Sequence, residues 1–338
     1  MHVERCEIQA VWEECVQKFA QPQHTFLQSW AWGEAQKEAG NPIARILVSD
    51  ERGVAAVMLC VVQDLFFGMR VVLSPRGPLC REGVSTDHVI AAVRSSMIFQ
   101  DLVAQHRVIA LRVEPEEAIA VGKRIKDVEP ATTWMIPLAK YTQNTLWKAL
   151  KQKTRYNIRL AEKHGVRVER VQHEYSIDRI LDVWKKMATR TSERHGIAQH
   201  PTAYYRSIFS TLKNADMLEV SIAFLRNNPI AITIGVSWGN TATYLYGASD
   251  HTQRAIMAPS LLQWMMIDEA LSRGFVWYDF YGVAPEGVED HSLSGVTRFK
   301  QSFVGEYRTY PGTYEIPLRP MWYAMYRWIR TLRRFLRQ

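Results

Sequence analysis

The sequence has little cysteine and none of the common metal or nucleotide motifs. Its four cysteines, Cys6, Cys15, Cys60 and Cys80, are scattered along 338 residues without a Cys-x-x-Cys pair. This spacing argues against a zinc site or a disulfide framework. P-loop, Gly-x-Ser-x-Gly and His-Glu-x-x-His motifs are also missing. We therefore expect a protein without a bound metal or cofactor, in a reducing compartment.

Long apolar runs are equally scarce. The main apolar run, residues 54–62, ends at Gln63 and Asp64. It is well short of the roughly 18 apolar residues that a membrane span needs. The first residues, MHVERCEIQAVWEEC, lack the basic-then-apolar order of a signal peptide. These absences predict a cytoplasmic protein.

Positive charge is in excess, because 42 Lys and Arg residues stand against 34 Asp and Glu residues, for a net charge of +8. Such an excess favours a polyanionic partner, such as nucleic acid, a nucleotide diphosphate or an anionic membrane. One basic segment spans residues 142–171 and suits phosphate contacts, although a solvated helix face would look the same. Its basic residues are Lys148, Lys151, Lys153, Arg155, Arg159, Lys163, Arg167 and Arg170.

The second basic segment is the predicted final helix, residues 319–338, which contains no acidic residue. A helix that mixes arginine with aromatic residues suits an anionic membrane surface. The alternative is docking on the first half of the chain with the arginines exposed. Its basic and aromatic residues are Arg319, Trp322, Tyr323, Tyr326, Arg327, Trp328, Arg330, Arg333, Arg334, Phe335 and Arg337.

The two halves of the chain repeat one order of elements: helices, a strand meander, a helix and a strand. We predict a mixed α/β fold of two tandem modules with their joint near residues 140–146. The first domain comprises residues 1–143 and the second comprises residues 144–312. The predicted helices are 26–40, 85–106, 142–165, 177–196, 201–212 and 258–274, and the predicted strands lie in 44–62, 69–79, 107–116, 166–171, 217–250 and 275–283.

The strand, loop, helix and strand at residues 244–283 have the layout of the N-acetyltransferase (GNAT) fold. In that fold, backbone N–H groups of a glycine-rich loop and the following helix hold the pyrophosphate of coenzyme A. Here the loop, residues 251–260, contains no glycine, and Pro259 lacks an N–H. We therefore predict two tandem GNAT-like domains without a coenzyme A site.

Six segments, in this order, resemble the Fem-type (FemABX) aminoacyl-tRNA-dependent peptidyltransferases, which build the interpeptide bridge of peptidoglycan. The resemblance spans nearly the whole chain and is closest to the compact members, which lack a coiled-coil arm. The segments are SWAWGEAQK (29–37), LRVEP (111–115), LKQKTRYNIRLAEKHGVRV (150–168), YLYGASD (244–250), APSLLQWMMIDEALSRGFVWYDFYGV (258–283) and FKQSFVGEY (299–307).

The resemblance implies transfer of an amino acid from aminoacyl-tRNA to an amine of a peptidoglycan precursor. The acceptor would be UDP-MurNAc-pentapeptide or its lipid-linked form, lipid II, and the amino acid would be Ala, Ser or Gly. It implies that the C-terminal segment 313–338 returns to complete the first domain. We also expect a monomer without a cofactor, and the arginine and aromatic content of residues 319–338 predicts peripheral contact with the inner face of the membrane.

The resemblance also assigns candidate catalytic residues. Lys300 would bind the tRNA acceptor end or stabilise the oxyanion of the aminolysis intermediate, and Phe299 would contact the terminal nucleotide. Glu114 would orient the acceptor amine or take its proton, although a strand-end pair with Arg112 is an alternative. Lys37 would contact the diphosphate, or be an ordinary solvated lysine.

Tyrosines supply the remaining substrate candidates. Tyr246 matches the substrate tyrosine of the family, and Tyr244, two residues away, is expected on the same strand face. Tyr204 and Tyr205 lie on a helix expected to face the substrate, with amphipathic packing as the alternative, and Arg206 is a weak substitute for the family's arginine there. The residues assigned to the tRNA are Lys148, Lys151, Lys153, Arg155 and Arg159.

Two rival functions stay open on the sequence. One is an acyltransferase of the same fold that moves an acyl group from a thioester to an amine of an exopolysaccharide or other cell-envelope sugar. The other is an RNA- or membrane-binding module without catalytic activity, in which replacing Lys300 changes nothing.

Overall fold

The computed structural model describes residues 1–20, 25–171, 175–195 and 200–335, and for residues 189–195 and 333–335 it describes the backbone alone. The strands are β1 (His2–Arg5), β2 (Ile43–Asp50), β3 (Gly53–Asp64), β4 (Arg70–Ser74), β5 (Leu79–Cys80), β6 (Val108–Val113), β7 (Lys123–Arg124), β8 (Thr132–Pro137), β9 (Arg167–Arg170), β10 (Leu218–Leu225), β11 (Asn228–Trp238), β12 (Thr241–Ser249), β13 (Trp277–Gly282), β14 (Glu306–Thr309) and β15 (Tyr314–Pro317). The helices are α1 (Gln9–Phe19), α2 (Trp30–Glu38), α3 (Thr86–Ser95), α4 (Met97–Gln105), α5 (Gln143–Ala149), α6 (Gln152–Lys163), α7 (Ile177–His195), α8 (Thr202–Asn214), α9 (Ala258–Ser272), α10 (Ser294–Lys300) and α11 (Pro320–Phe335). None of the helices in these ranges is long and apolar enough to cross a membrane.

The chain divides into two compact units. Unit 1 comprises Met1–Ala131 and Tyr310–Gln338, and unit 2 comprises Thr132–Thr309. The division falls before β8, whereas the sequence analysis placed the joint after it. The reason is that β8 pairs with β13 and β14 and so belongs to the sheet of unit 2.

Unit 1 is built on an eight-stranded sheet in the order β1-β2-β3-β4-β6-β15-β7, with β5 paired to β3. Only β4 and β6 run parallel among these pairings, because α3 and α4 cross over between them. The crossover was predicted as one helix over residues 85–106, but it breaks at Ser96. The Ser96 hydroxyl accepts a hydrogen bond from the Phe99 N–H and so caps α4.

The segment SWAWGE is explained by one buried arginine. The Arg45 guanidinium lies 3.6 Å from the centre of the Trp30 ring and pairs with Glu34 at 2.9 Å. A β-carbon at Gly33 would come within 2.4 Å of that guanidinium. Ser29 caps α2 by accepting from the Trp32 N–H. This segment therefore has a structural role, fixing α2 against β2.

Unit 2 is built on a seven-stranded sheet in the order β14-β8-β13-β12-β11-β10-β9. Its one parallel pairing among the described strands is β12 with β13, joined by α9, so both units repeat a strand, helix and parallel strand. Helices α5, α6 and α9 share a hydrophobic cluster with β8, β11 and β13. Helices α7 and α8 contact strands β10 to β12.

Gln28, fully buried before α2, provides a test of the fold of unit 1. Its side chain accepts a hydrogen bond from the Leu59 N–H at 2.9 Å and donates to the Pro75 carbonyl at 2.6 Å. Replacing Gln28 with Leu leaves both backbone groups buried without partners, and we expect a loss of about 2–5 kcal/mol of unfolding free energy. Urea denaturation measures this loss, and the exposed Gln105→Leu is the control. Equal stability of the two variants would show that this network does not stabilise the unit.

Candidate functional site

The parallel strands β12 and β13 separate soon after they pair. They pair only where residues 241–243 lie beside residues 277–279. Beyond that point β12 continues to Ser249 and β13 to Gly282 without further pairing to each other. Backbone groups and side chains at the carboxyl ends of these strands are thus available to other parts of unit 2, as is usual for binding sites in α/β sheets.

Lys300 lies where these strands separate. Its side chain is buried, with the residue 6% exposed, and its Nζ donates a hydrogen bond to the Gly282 carbonyl at 2.7 Å. The same Nζ is 5.5 Å from the centre of the Tyr244 ring, a cation–π contact. Burial lowers the pKa of the Lys300 ammonium to about 7, and the Asp279 carboxylate opposes this. The lysine is therefore part of the interior and not a solvated surface residue.

The end of β13 and the start of α10 fix the position of this lysine. Tyr281 adopts a left-handed backbone conformation, with φ 61°, and its N–H donates to Asp279 Oδ1 at 2.7 Å. The Ala284 N–H then donates to Thr297 Oγ1 at 2.7 Å, which ties α10 to the strand end. These two contacts hold the Gly282 carbonyl and Lys300 in one rigid arrangement.

Phe299 is half-buried and packs edge-on against Phe303 with ring centres 5.7 Å apart. It also lines a cavity of about 250 Å³ in front of α9. A ring in this position can contact a bound group and the core at once. The other residues that line the cavity are Ile230, Ser249, Asp250, His251, Gln253, Arg254, Met257, Ala258, Pro259 and Ser260.

The loop before α9 offers few N–H groups to a phosphate. Met257, the residue before the helix, takes a left-handed conformation with φ 61°. Pro259 has no N–H, and the Ser260 N–H is donated to the Met257 carbonyl at 2.9 Å. This geometry agrees with the glycine-free sequence and is a poor match for a pyrophosphate cradle.

The expectation that Tyr244 and Tyr246 share one strand face is wrong. Tyr244 pairs with Gly235 and Tyr246 with Ile234, so β12 carries an extra residue between them. Such a bulge interrupts the alternation of side chains. Tyr244 consequently packs against Phe280, with ring centres 6.2 Å apart. Burial raises the pKa of the Tyr244 phenol to about 12, so the phenol stays neutral beside Lys300.

Tyr246 belongs to a separate aromatic group between α7, α8 and β12. Its ring lies 5.7 Å from those of Trp184 and Tyr205. Tyr205 is buried in this group, and desolvation raises its phenol pKa. Tyr204 stacks on His200 with ring centres 4.1 Å apart. Tyr205 is thus packed into the group, while Tyr204 and Tyr246 are each half-buried at its edge.

Arg206 does not join the aromatic group. Its guanidinium pairs with Asp178 of α7 in an exposed ion pair. The hydrogen bond to Asp178 raises the pKa of the guanidinium. Arg206 thus links α8 to α7.

The basic segment is two helices and not the predicted single helix over residues 142–165. The chain breaks between α5 and α6, where the Arg155 guanidinium donates to the Lys148 and Leu150 carbonyls at the end of α5. Arg155 is thereby committed to the backbone, which weakens its assignment to tRNA. The other assigned residues, Lys148, Lys151, Lys153 and Arg159, are exposed.

Sequence analysis missed Tyr156, which is 62% exposed on α6. It lies three residues before Arg159 and seven before Lys163, so the three side chains share one helix face. An exposed aromatic between cations suits stacking on a base or sugar. The helical spacing of these residues was the available signal.

Glu114 lies just after β6 in unit 1 and is 2% exposed. Its carboxylate accepts hydrogen bonds from Thr313 Oγ1 at 2.6 Å, the Glu129 N–H at 2.9 Å and the Arg76 N–H at 3.3 Å. Burial and the Glu129 charge raise the pKa of Glu114 to about 7, against the lowering effects of Arg76 and these donors. The alternative pairing with Arg112 is wrong, because Arg112 pairs with Glu315.

Lys37 lies in the last turn of α2, with 64% of its side chain exposed and Glu34 3.8 Å away. It is an exposed cation on the surface of unit 1. Two predicted sets are thus brought together within unit 2: Lys300 and Phe299 with Tyr244, and Tyr246 with Tyr204 and Tyr205. In unit 1, Lys37 lies on α2 and Glu114 follows β6.

Comparison with known families and proteins gives a consistent result. The FemAB family model matches residues 120–226 and 223–331. The UDP-N-acetylmuramoylpentapeptide-lysine N(6)-alanyltransferase of Weissella viridescens is 23% identical over 319 residues, covering 88% of this chain and 90% of that enzyme. The aminoacyltransferase FemA of Staphylococcus aureus is 29% identical over 114 residues, which is 34% of this chain and 25% of FemA.

Solved structures agree on the fold. FemX superimposes with a TM-score of 0.77 at 17% identity, covering 96% of this chain and 99% of its own. A tandem GNAT protein of the clavulanic acid pathway superimposes with a TM-score of 0.54 at 12% identity, covering 94% and 98%. The prediction of a mixed α/β fold with two tandem GNAT-like domains is confirmed.

The matched residues cover more than half of the chain, and their relatives are named for one type of reaction. The predicted relationship is therefore confirmed: the chain belongs to the FemAB family and is an aminoacyltransferase.

Proposed function

We propose that this enzyme transfers an amino acid from aminoacyl-tRNA to an amine of a peptidoglycan precursor stem peptide. The acceptor is the pentapeptide on UDP-MurNAc or on lipid II. The relative from Weissella viridescens, which matches along most of its length, is named as an alanyltransferase acting on the lysine of UDP-N-acetylmuramoylpentapeptide. Alanine is accordingly the first amino acid to test, followed by serine and glycine.

The buried Lys300 is the observation that carries this proposal. Aminolysis of an aminoacyl ester passes through a tetrahedral intermediate with a negative oxygen, and it expels a ribose hydroxyl. A fixed ammonium in a site shielded from water stabilises such an oxygen far better than a solvated one does. Lys300 meets both conditions, because the fold holds its Nζ on the Gly282 carbonyl and buries it.

The charge of Lys300 depends on what binds beside it. With its pKa near 7, the free enzyme holds a mixture of ammonium and amine at neutral pH. A bound polyanion raises that pKa, since a nearby negative charge favours the charged form of lysine. An RNA acceptor end brings such charge, so donor binding would supply the protonated lysine that the reaction uses. Phe299, on the adjoining cavity, would stack on the terminal nucleotide.

The exposed cations of α5 and α6 support an RNA donor. Lys148, Lys151, Lys153 and Arg159 lie on unit 2, as Lys300 does. Contacts from such side chains to phosphates position a nucleic acid without reading its sequence. Tyr156 on the same helix adds a stacking surface. Among the acceptor candidates, Tyr246 is half-buried and Lys37 is exposed. Glu114 would act through its Oε2, which accepts one hydrogen bond, by releasing the Arg76 N–H.

The central prediction concerns transfer itself. Radiolabelled amino acids on a mixed pool of charged tRNA are offered with UDP-MurNAc-pentapeptide or, separately, with lipid II. We expect label on one acceptor, and a roughly 100- to 1000-fold slower reaction for Lys300→Met, because the oxyanion loses its cation.

The exposed Lys126→Met is the control and should react at the wild-type rate. No transfer to either acceptor by a folded protein would reject the proposed reaction. An unchanged rate for Lys300→Met would reject the role of this lysine and leave the reaction standing.

A second prediction tests the state of Lys300 without any substrate. Its folded pKa is about 7 and its ordinary value is 10.5, so between these values the unfolded chain carries a proton that the folded chain lacks. Wild-type stability should therefore rise with pH across this window relative to Lys300→Met. Urea denaturation of both proteins between pH 7 and pH 9 measures the difference between their unfolding free energies. Titratable groups that the two proteins share contribute equally to both and drop out of this difference. A pH-independent difference would mean that the ammonium is solvated.

A third prediction concerns the basic helices. Lys153→Glu with Arg159→Glu should raise the KM for aminoacyl-tRNA about tenfold or more with little change in kcat, because phosphate contacts position the donor. The dependence of KM on salt should also weaken. Lys126→Glu with Lys186→Glu makes the same change in net charge at exposed sites elsewhere. If both pairs of changes act alike, the effect is one of overall charge, and the α6 face is not the donor surface.

A further inference from the structure

Helix α11 is fixed in orientation by one side only. Tyr323 and Tyr326 pack into a cluster with Met69, Val71 and Ile109 on the sheet of unit 1. The Tyr323 hydroxyl donates to Glu315 at 2.8 Å, and the Tyr326 hydroxyl accepts from Arg112 at 3.1 Å. The helix is thus held on unit 1 by its tyrosine side, and its other side is left to face outward.

That outward side is apolar. Met321, Met325, Trp328 and Leu332 are 87%, 39%, 67% and 44% exposed. Their spacing of four, three and four residues places them in one stripe along the helix. Trp322, 54% exposed, lies beside the stripe. Large apolar side chains scattered singly over a surface are ordinary, but a continuous stripe marks an interaction site.

A second element adds to the same surface. At the turn between β3 and β4, the Phe66 ring stacks on Tyr326 of α11 with ring centres 5.2 Å apart. The adjoining Phe67 is 73% exposed and packs edge-on against Phe66 at 5.6 Å. The turn between β3 and β4 therefore presents an exposed aromatic ring next to the helix.

The helix that carries this stripe is basic. Between residues 319 and 335 the chain contains arginines and no acidic residue. Arg327 and Arg330 are exposed, and because each follows a docked tyrosine by four residues, they lie on the tyrosine side of the helix, where Arg327 hydrogen-bonds Tyr323. Arg107, also exposed, precedes Val108, which pairs with Arg70 at the start of β4 beside the turn. The acidic residue nearest this turn in sequence, Asp64, is paired with Arg70. The side chains of Arg333 and Arg334 are not described, and Arg337 lies outside the described residues.

Exposed apolar and aromatic side chains on a helix with net positive charge match the chemistry of an anionic lipid bilayer. The rings and methyl groups enter the boundary between headgroups and acyl chains, and the positive charge of the helix attracts the anionic surface. A second copy of the chain fits less well, because a symmetric contact through α11 would bring two basic helices together with no acidic residue on either to offset their charge. The charge therefore favours a membrane as the occupant.

We propose that unit 1 carries a membrane-docking surface that binds anionic phospholipid, formed jointly by α11 and the turn between β3 and β4. This goes beyond transfer chemistry, since it requires neither donor nor acceptor. It also combines the two sequence-based alternatives for the final helix, because one side docks on unit 1 while the other is exposed. The residues of the membrane-docking surface are Phe67, Met321, Trp322, Met325, Trp328 and Leu332.

The test uses the full chain and vesicles that contain no peptidoglycan precursor, so its outcome is independent of the proposed reaction. Co-sedimentation compares phosphatidylcholine vesicles with vesicles that also contain phosphatidylglycerol, at about 0.1 M salt. We expect binding to the anionic vesicles and about tenfold weaker binding for Trp328→Ser with Leu332→Ser, and for Phe67→Ser. Arg330→Gln should weaken binding to the anionic vesicles and reduce its salt dependence.

The control variants are Met97→Ser and Ile8→Ser, whose side chains are 78% and 64% exposed on other elements of unit 1. They should bind as the wild type does, and all variants should keep the wild-type melting temperature. Absence of binding to either vesicle would overturn the proposal, as would equal binding by the Trp328 and Leu332 variant. A dimer in solution that this variant dissociates, without any vesicle binding, would overturn it as well and make the surface a contact between copies of the chain.

Discussion

The separation of β12 from β13 is the constraint on which the candidate site of unit 2 depends. Two parallel strands that pair over three residues and then diverge leave unpaired backbone between them. The Gly282 carbonyl is part of that backbone, and Lys300 satisfies it with a buried ammonium. Burying an amine in this way is costly unless it is paired, which is why its pKa falls to about 7. A group held in this state responds strongly to any anion that binds near it, and the proposed reaction uses that property.

In unit 1, buried charged side chains are paired with each other and with tyrosine hydroxyls. Arg112, Glu315 and the hydroxyls of Tyr323 and Tyr326 form a closed network under α11. Since every one of these groups has a partner, the network serves to set the angle and register of the helix. The apolar stripe of α11 faces outward as a consequence. Glu114, after the parallel strand β6, is likewise held by three donors, so any role in proton transfer would require one of its oxygens to change partners.

Regular elements with strong local signals were predictable. The hairpin of β2 and β3, the three strands β10 to β12 and helix α9 appear where alternating or helical patterns placed them. Strands β8, β14 and β15 were missed, because each is short and pairs with strands distant in sequence. Two helices were predicted too long, since the breaks at Ser96 and before Gln152 depend on a hydroxyl cap and on the Arg155 guanidinium. Such breaks leave the hydrophobic period almost unchanged.

The sequence by itself determined the family, the tandem arrangement and the poor fit to coenzyme A, because these follow from motif order and from a loop without glycine. Only the tertiary structure decided the surroundings of the individual residues. It buried Lys300, turned Tyr244 and Tyr246 toward different helices, and paired Arg112 with Glu315, 203 positions along the chain. The physical reason is that burial, bulges and long-range ion pairs arise from packing between distant segments. The spacing of residues within one segment does not predict them.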